Sequence, residues 1–371
     1  MSSELLSQGG FGCVYFPALN CMGESTDNKK TVSKVQKKSF SSQNEIEIGK
    51  IIRKFQNWNL FFIPVEDSCS VKITNIDDSL LKDCDVISDS EKKYSITQIP
   101  FVKNITFESL FVESFNNKER FISVLNIYDY LLHSIKILIE LNICHFDLKL
   151  DNILINQITR SPLIIDFGIS IPINKINSKN INKYFYAFAP EYYLWSPEIH
   201  LINFLLNEIP GQEYLTKDNC LNLSNLVIDS NKALVIYSPN FIEKMKNACF
   251  KFYSKYIGIS KNEIISNLLE YYSTWDNYAL SILFLKIINS LFNEEFIDSK
   301  FMINFSQILV VNIYPDPNKR LNVDETLKKN DELFYLQSDI NNYKNLLKNL
   351  KKPNIDLFVK KKLIRPVNKS F

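Results

Sequence analysis

The chain has 371 residues, of which 46% are apolar and 23% charged, and its formal net charge is +2. That length allows two domains of ordinary size around a sizeable core, and the composition is that of a globular chain. Near-neutral charge gives no electrostatic case for nucleic acid as the main partner, and no run of about eighteen apolar residues predicts a membrane span or, ahead of Gly9, a leader. The seven cysteines, Cys13, Cys21, Cys69, Cys84, Cys144, Cys220 and Cys249, are odd in number and form no C-x-x-C pair. They read as reduced, scattered thiols of a cytoplasmic protein.

Residues 5–15, LLSQGGFGCVY, read as strand, tight turn and strand. Residues 31–35, TVSKV, form a short strand carrying Lys34. Residues 44–55, NEIEIGKIIRKF, place apolar side chains at 46, 48, 51, 52 and 55, a helical stripe. Glu45 and Glu47 lie on different faces of that helix, so only one can point inward. Between 65 and 91 there are eight acidic residues against two lysines. The interval 65–93 is therefore expected to be an exposed insertion. Residues 94–101, YSITQIPF, alternate like a strand and then meet a proline, while 121–141 is a long apolar stretch without Gly or Pro, read as a buried helix.

Residues 143–170, ICHFDLKLDNILINQITRSPLIIDFGIS, are the most informative. Asp147, Lys149 and Asn152 form one polar cluster, and Asp166-Phe167-Gly168 ends the apolar run that follows, a pattern for a loop, a short hairpin and a metal-binding turn. Phosphoryl transfer needs such a set: a carboxylate to take the proton of the attacking hydroxyl, and an amide oxygen and a second carboxylate to hold a divalent cation. Downstream come two Pro-Glu elements, Ala189-Pro190-Glu191 and Ser196-Pro197-Glu198, then an interval of helical character (205–270), then Asp276 at the start of an apolar helix and Arg320. Residues 337–371 carry nine Lys/Arg and two Asp. That tail reads as a solvated basic extension, or as a docking arm for nucleic acid, an anionic membrane or an acidic partner.

In this order, across residues 5–325, the motifs closely resemble those of protein kinases. The resemblance implies an α+β, bilobal kinase fold. Residues 1–100 would be a small β-rich lobe with one main helix, residues 101–336 a larger, mostly helical lobe, and 205–270 a helical insertion within it. It implies ATP and Mg²⁺ as cofactors and protein Ser/Thr hydroxyls as acceptors, because Lys149 lies two residues after Asp147 as in the serine/threonine type. Asp147 would take the proton and Lys149 neutralise the transferring group. Asn152 and Asp166 would bind the metal, and Lys34, paired with Glu45 or alternatively Glu47, would position the phosphates. Leu6, Gly9, Gly10, Phe11, Gly12 and Val14 would form the glycine-rich cover, with Ser7 in place of its first glycine, and the adenine contact would fall among Gln98 to Phe101, with Gln98 the first candidate. Glu198, or else Glu191, would pair with Arg320.

GGFGCVYFPALNC, the VSK around Lys34 and WSPEIHL are similar to kinases of large nucleocytoplasmic DNA viruses, which implies a location in the host cytoplasm or the virion. Phe146 stands where those families carry the Arg of H-R-D, so activity is expected without phosphorylation of the activation segment. A catalytically inactive pseudokinase acting as a binding module is the alternative, and a kinase for small-molecule or lipid acceptors a further one. Lys34, Asp147, Asn152 and Asp166 are all present, which weighs against the first.

Overall fold

The computed structural model describes residues 3–10, 12–87, 93–112, 117–291 and 300–335. Phe11 and the basic tail 337–371 lie outside the described residues. The chain opens with β1 (Glu4–Gly9) and β2 (Gly12–Phe16), a hairpin whose last pair is Gly9↔Gly12. With β3 (Thr31–Lys37), β4 (Asp67–Val71) and β5 (Tyr94–Pro100) it builds an antiparallel sheet in the order β1-β2-β3-β5-β4. Period-two alternation puts Cys13, Tyr15, Val35, Tyr94 and Ile96 on one buried face. The cross-strand partners Val14, Lys34 and Thr97 share the other.

Between β3 and β4 lies α1 (Phe40–Ile52), begun by a capping box in which Ser39 and Ser42 satisfy each other's backbone N–H. Gly49 is needed there, because a Cβ would come within 2.6 Å of the Val65 carbonyl oxygen.

The interval 65–93 is not an exposed insertion throughout. Residues 67–71 are β4, paired with β5 from Asp67↔Gln98 to Val71↔Tyr94. After the short helix α2 (Asp78–Leu81), Cys84 and Ile87 are buried with Val71 and Ile76 against the sheet. Counting charges located the outer positions of this segment and overlooked the apolar residues between them. Residues 88–92 lie outside the described residues.

The reading of seven free thiols is also corrected. Cys13 is bonded to Cys84 across 71 residues and Cys21 to Cys69 across 48, with Cα atoms 6.1 and 5.7 Å apart. These pairs arise because the covering segment returns to the sheet, a long-range event that no local spacing encodes. Cys144, Cys220 and Cys249 are free and buried.

The larger part is mostly helical. It runs through β6 (Asn104–Ile105), α3 (Phe107–Val112), α4 (Asn117–Glu140), β7 (Ile143–Cys144), β8 (Ile153–Asn156), β9 (Pro162–Ile164) and β10 (Ile171–Pro172). Next come α5 (Ile181–Tyr184), α6 (Pro197–Asn203), α7 (Lys217–Asp229), α8 (Pro239–Ser254), α9 (Lys261–Leu269) and α10 (Trp275–Leu291), then helices Lys300–Asn312 and Val323–Tyr335. α10 is buried at every position from Trp275 to Leu285, so its apolar surface is core on all sides. By length and composition one described helix, Arg120–Glu140, is apolar enough to cross a membrane, yet 67% of that window is buried within the fold. The whole is α+β: a small antiparallel sheet with one long helix, followed by a larger helical part.

Candidate active site

Lys34 projects from the face of β3 that it shares with Val14 and Thr97. Its Nζ lies 3.2 Å from Glu45 Oε2 and 3.6 Å from Asp166 Oδ1. Glu47 points the other way and meets Lys175 at the surface, at 3.2 Å. Helical geometry thus decides between the two glutamates. Gln36, two residues along β3 and therefore on the same face, donates to Glu45 Oε2 at 3.1 Å. Burial pulls the Lys34 ammonium toward neutrality, but the Glu45 and Asp166 carboxylates outweigh it and hold its pKa above the usual value.

The loop after β7 is held from behind by Asp276, in the first turn of α10. This buried carboxylate accepts the His145 N–H at 2.6 Å and the Phe146 N–H at 3.1 Å. Burial pushes its pKa up, against the pull of those two N–H groups. Trp195 Nε1 donates to the Phe146 carbonyl at 2.9 Å. Phe146 itself sits at φ 69°, with its ring against Trp195 and Phe185 at 4.9 and 5.4 Å between centroids. A left-handed conformation costs a bulky residue about 1–2 kcal/mol, which these three hydrogen bonds and the ring packing offset.

The turn carries Asp147 into a cleft of about 340 Å³ lined by Lys149, Asp166, Tyr186, Glu191 and Tyr192. Asp147 Oδ2 accepts from Lys149 Nζ and from Asn152 Nδ2, both at 2.9 Å, while Oδ1 accepts from the Tyr192 hydroxyl. Since Asn152 spends its amide N–H on Asp147, its oxygen is the end left for a cation.

The β8–β9 hairpin and a hydrogen bond from Ile165 N to Asn152 O (3.0 Å) bring Asp166 next to this loop. Asp166 also has positive φ, 61°. Phe167 is buried, with its ring 6.1 Å from Phe62 and 5.1 Å from His145. Asn44, beside Glu45 on α1, donates to Gly168 O at 3.1 Å and Ser170 O at 2.7 Å. One helix thereby orients both the partner of Lys34 and the turn bearing Asp166.

Around the hairpin, Gly9 and Gly10 would present an added Cβ to open space. Gly12 would not: its Cβ would fall 2.4 Å from Val35 O, so the sheet itself demands this glycine. Leu6 lies at a register irregularity of β1 and is 55% exposed. The Gln98 side chain does not join Lys34. It sits on β5 directly after Thr97, so alternation turns it to the face away from Lys34, where its Nε2 donates to Leu19 O at 2.6 Å. Glu198 forms a bidentate, fully buried pair with Arg320 at 2.7 Å for both bonds, leaving Glu191 to the cleft.

Sequence reasoning overlooked Gln36, Asn44 and Tyr192. The first two were open to it, since one is two strand positions from Lys34 and the other adjoins Glu45; nothing local points Tyr192 at Asp147. The metal-ligand expectation fits the donor chemistry, as Asn152 and Asp166 offer the hard oxygen ligands that suit Mg²⁺. Among the described residues no group of three or more His, Cys, Asp or Glu side chains is placed to hold a metal ion by itself. Such a cation would take its remaining ligands from water and phosphate oxygens, as Mg²⁺ usually does. No protein-family model matches this chain, and no curated protein does.

Proposed function

We propose that this chain is a protein kinase of the serine/threonine type, with the bilobal kinase fold, transferring the γ-phosphoryl of ATP to hydroxyls of protein substrates. The observation that carries the reading is the convergence of two charged sets on one cleft. Lys34, braced by Glu45, lies 3.6 Å from Asp166, and Asp166 lines the cavity that holds Asp147 and Lys149. Separation of these groups on different surfaces would have removed the proposal.

Mg²⁺–ATP, when bound, supplies the phosphoryl group. Asn152 and Asp166 would hold the metal through oxygen atoms, and Lys34 offers its ammonium to phosphate oxygens. Glu45, itself held by Gln36, keeps that ammonium in place, and Glu45 and Asp166 together keep it charged. Asp147 accepts the proton of the acceptor hydroxyl at a carboxylate oxygen, with Lys149 beside it to neutralise developing negative charge. Gly9 and Gly10, with clear space about them, let backbone N–H groups approach phosphates. Phe146 provides no cation, so a phosphate on the activation segment (173–186) lacks that partner and turnover should not depend on it. Similarity to viral kinases, and a location in host cytoplasm or virion, belong to the same proposal; of the two places, paired cysteines favour the virion.

Preorganised charges of this kind are each worth about 2.7–4 kcal/mol of barrier, or 10²–10³ in rate. Transfer of label from ATP to a generic Ser/Thr peptide should therefore fall at least about a hundredfold in Lys34→Met and in Asp166→Asn, with thermal unfolding still cooperative. Near-wild-type transfer in either variant refutes the assignment. A wild-type protein that binds nucleotide and transfers nothing is the pseudokinase.

A further inference from the structure

Both oxygens of the Asp147 carboxylate are already engaged, and what engages Oδ1 is a hydroxyl. Tyr192 donates its phenolic O–H there, on the atom that would take a proton from an acceptor. The contact is built from several sides. Turn hydrogen bonds from Tyr192 N to Ala189 O and from Trp195 N to Tyr192 O, each 3.0 Å, fix the backbone on either side. The Tyr192 ring rests edge-on against Trp195 at 5.0 Å. Burial and the neighbouring carboxylate keep the phenol protonated. Its neighbours are not so placed: the Tyr193 hydroxyl oxygen accepts from Lys286 Nζ at 2.6 Å, and Tyr186 is half exposed.

A general base within hydrogen-bond reach of a hydroxyl, in the cleft that also contains Asp166, is the arrangement a substrate would have to reach. We propose that Tyr192 is an internal phosphoryl acceptor, modified by its own chain, so that the active site takes a tyrosine hydroxyl in cis as well as serine or threonine hydroxyls in trans. This rests on the kinase reading above. In the step, Tyr192 Oη forms a bond to the γ-phosphorus of ATP as the bond to the β–γ bridging oxygen breaks. The Oη proton passes to Asp147 Oδ1, and ADP leaves with the bridging oxygen and its electron pair. The product carries about −1.5 to −2 charge beside Asp147 and Asp166, so like-charge repulsion drives the modified ring off the carboxylate.

The test is to incubate the full-length chain with Mg²⁺ and γ-labelled ATP, without added acceptor, and to locate label by peptide mass spectrometry. Phosphate on Tyr192, with a rate constant unchanged over a hundredfold dilution, absent in Tyr192→Phe and present in Tyr193→Phe, supports the proposal. Independently of nucleotide, the Tyr192 ¹³Cζ resonance, assigned by its loss in Tyr192→Phe, should shift in Asp147→Asn; no shift removes the contact and the proposal with it. Label on Tyr186 or Tyr193 alone, second-order accumulation on Tyr192, or transfer to an added Ser/Thr peptide with Tyr192 unmodified each overturns self-modification and leaves the kinase reading intact. No transfer to any acceptor sinks both.

Discussion

Replacing Asp276 by Asn tests whether the loop bearing Asp147 is set from behind by one buried carboxylate. The change preserves shape and removes the charge. Asp276 accepts from two backbone N–H groups, His145 at 2.6 Å and Phe146 at 3.1 Å, one on each oxygen. An asparagine can accept on one side only, and its amide N–H₂ must face a backbone N–H on the other. Two hydrogen bonds to a charged group, worth roughly 1.5–3 kcal/mol each, become one neutral bond of about 0.5–1.5 kcal/mol beside an unsatisfied buried donor. Against that, the variant escapes the desolvation that raises the Asp276 pKa in the folded protein. The balance is a loss of about 2–4 kcal/mol, which for a domain of 150–250 residues lowers the melting temperature by roughly 5–15 °C. The His145 and Phe146 amides should lose exchange protection first, since nothing else holds Phe146 at φ 69° from that side. Asp147 would then drift, and under the proposed kinase function a displacement of about 1 Å costs on the order of 10²-fold in transfer rate. Amide exchange followed residue by residue, with a melting curve on the same sample, reads this directly. Unchanged protection at both amides with a melt within about 2 °C of wild type would show that the carboxylate does not set the loop.

Other consequences are open to measurement. Glu198→Gln leaves the Arg320 guanidinium buried without its partner and should cost about 3–5 kcal/mol in urea unfolding, whereas the apolar double variant Glu198→Leu/Arg320→Met should recover most of it; a single-variant cost below about 1 kcal/mol contradicts the buried-pair argument. Burial lowers the His200 pKa from 6.5 to about 3. Because the unfolded chain takes up that proton first, stability is full above pH 6.5 and declines as pH falls toward 3, by up to roughly 5 kcal/mol. His200→Leu should flatten that part of the profile, and an unaltered acid limb would reject it. Thiol titration of the denatured, unreduced chain should find the three free cysteines, Cys144, Cys220 and Cys249. Reduction should loosen the sheet, the chain-entropy model assigning about 4 kcal/mol to each closed loop; seven titratable thiols would exclude the bridges.

Much of the site was legible because its motifs are local. Asp147, Lys149 and Asn152 fall within six residues, and Asp166-Phe167-Gly168 closes the same hairpin, so spacing alone brings them near one another. Strand and helix signals around Lys34 and Glu45 were equally plain. Failures came where the deciding contact was distant in sequence or lay on the other face of an element. The register of residues 98–101 stayed open in the sequence, and the fold puts the Gln98 side chain on the face away from Lys34, since in a strand one position reverses the side chain. The acidic stretch hid β4 and a buried cover, because charge density reports the outer positions of a segment and is silent about the inner ones.

The sequence by itself determined most of the element types, the order of the motifs and which polar residues fall close together along the chain, since periodicity and local spacing carry that information. Tertiary structure alone decided that Glu45 faces Lys34 while Glu47 does not, that Glu198 takes Arg320, that Cys13 and Cys21 find Cys84 and Cys69, and that Tyr192 lies on Asp147. Each of those depends on which faces meet after the chain has closed loops of ten to more than a hundred residues, and packing of whole elements settles it.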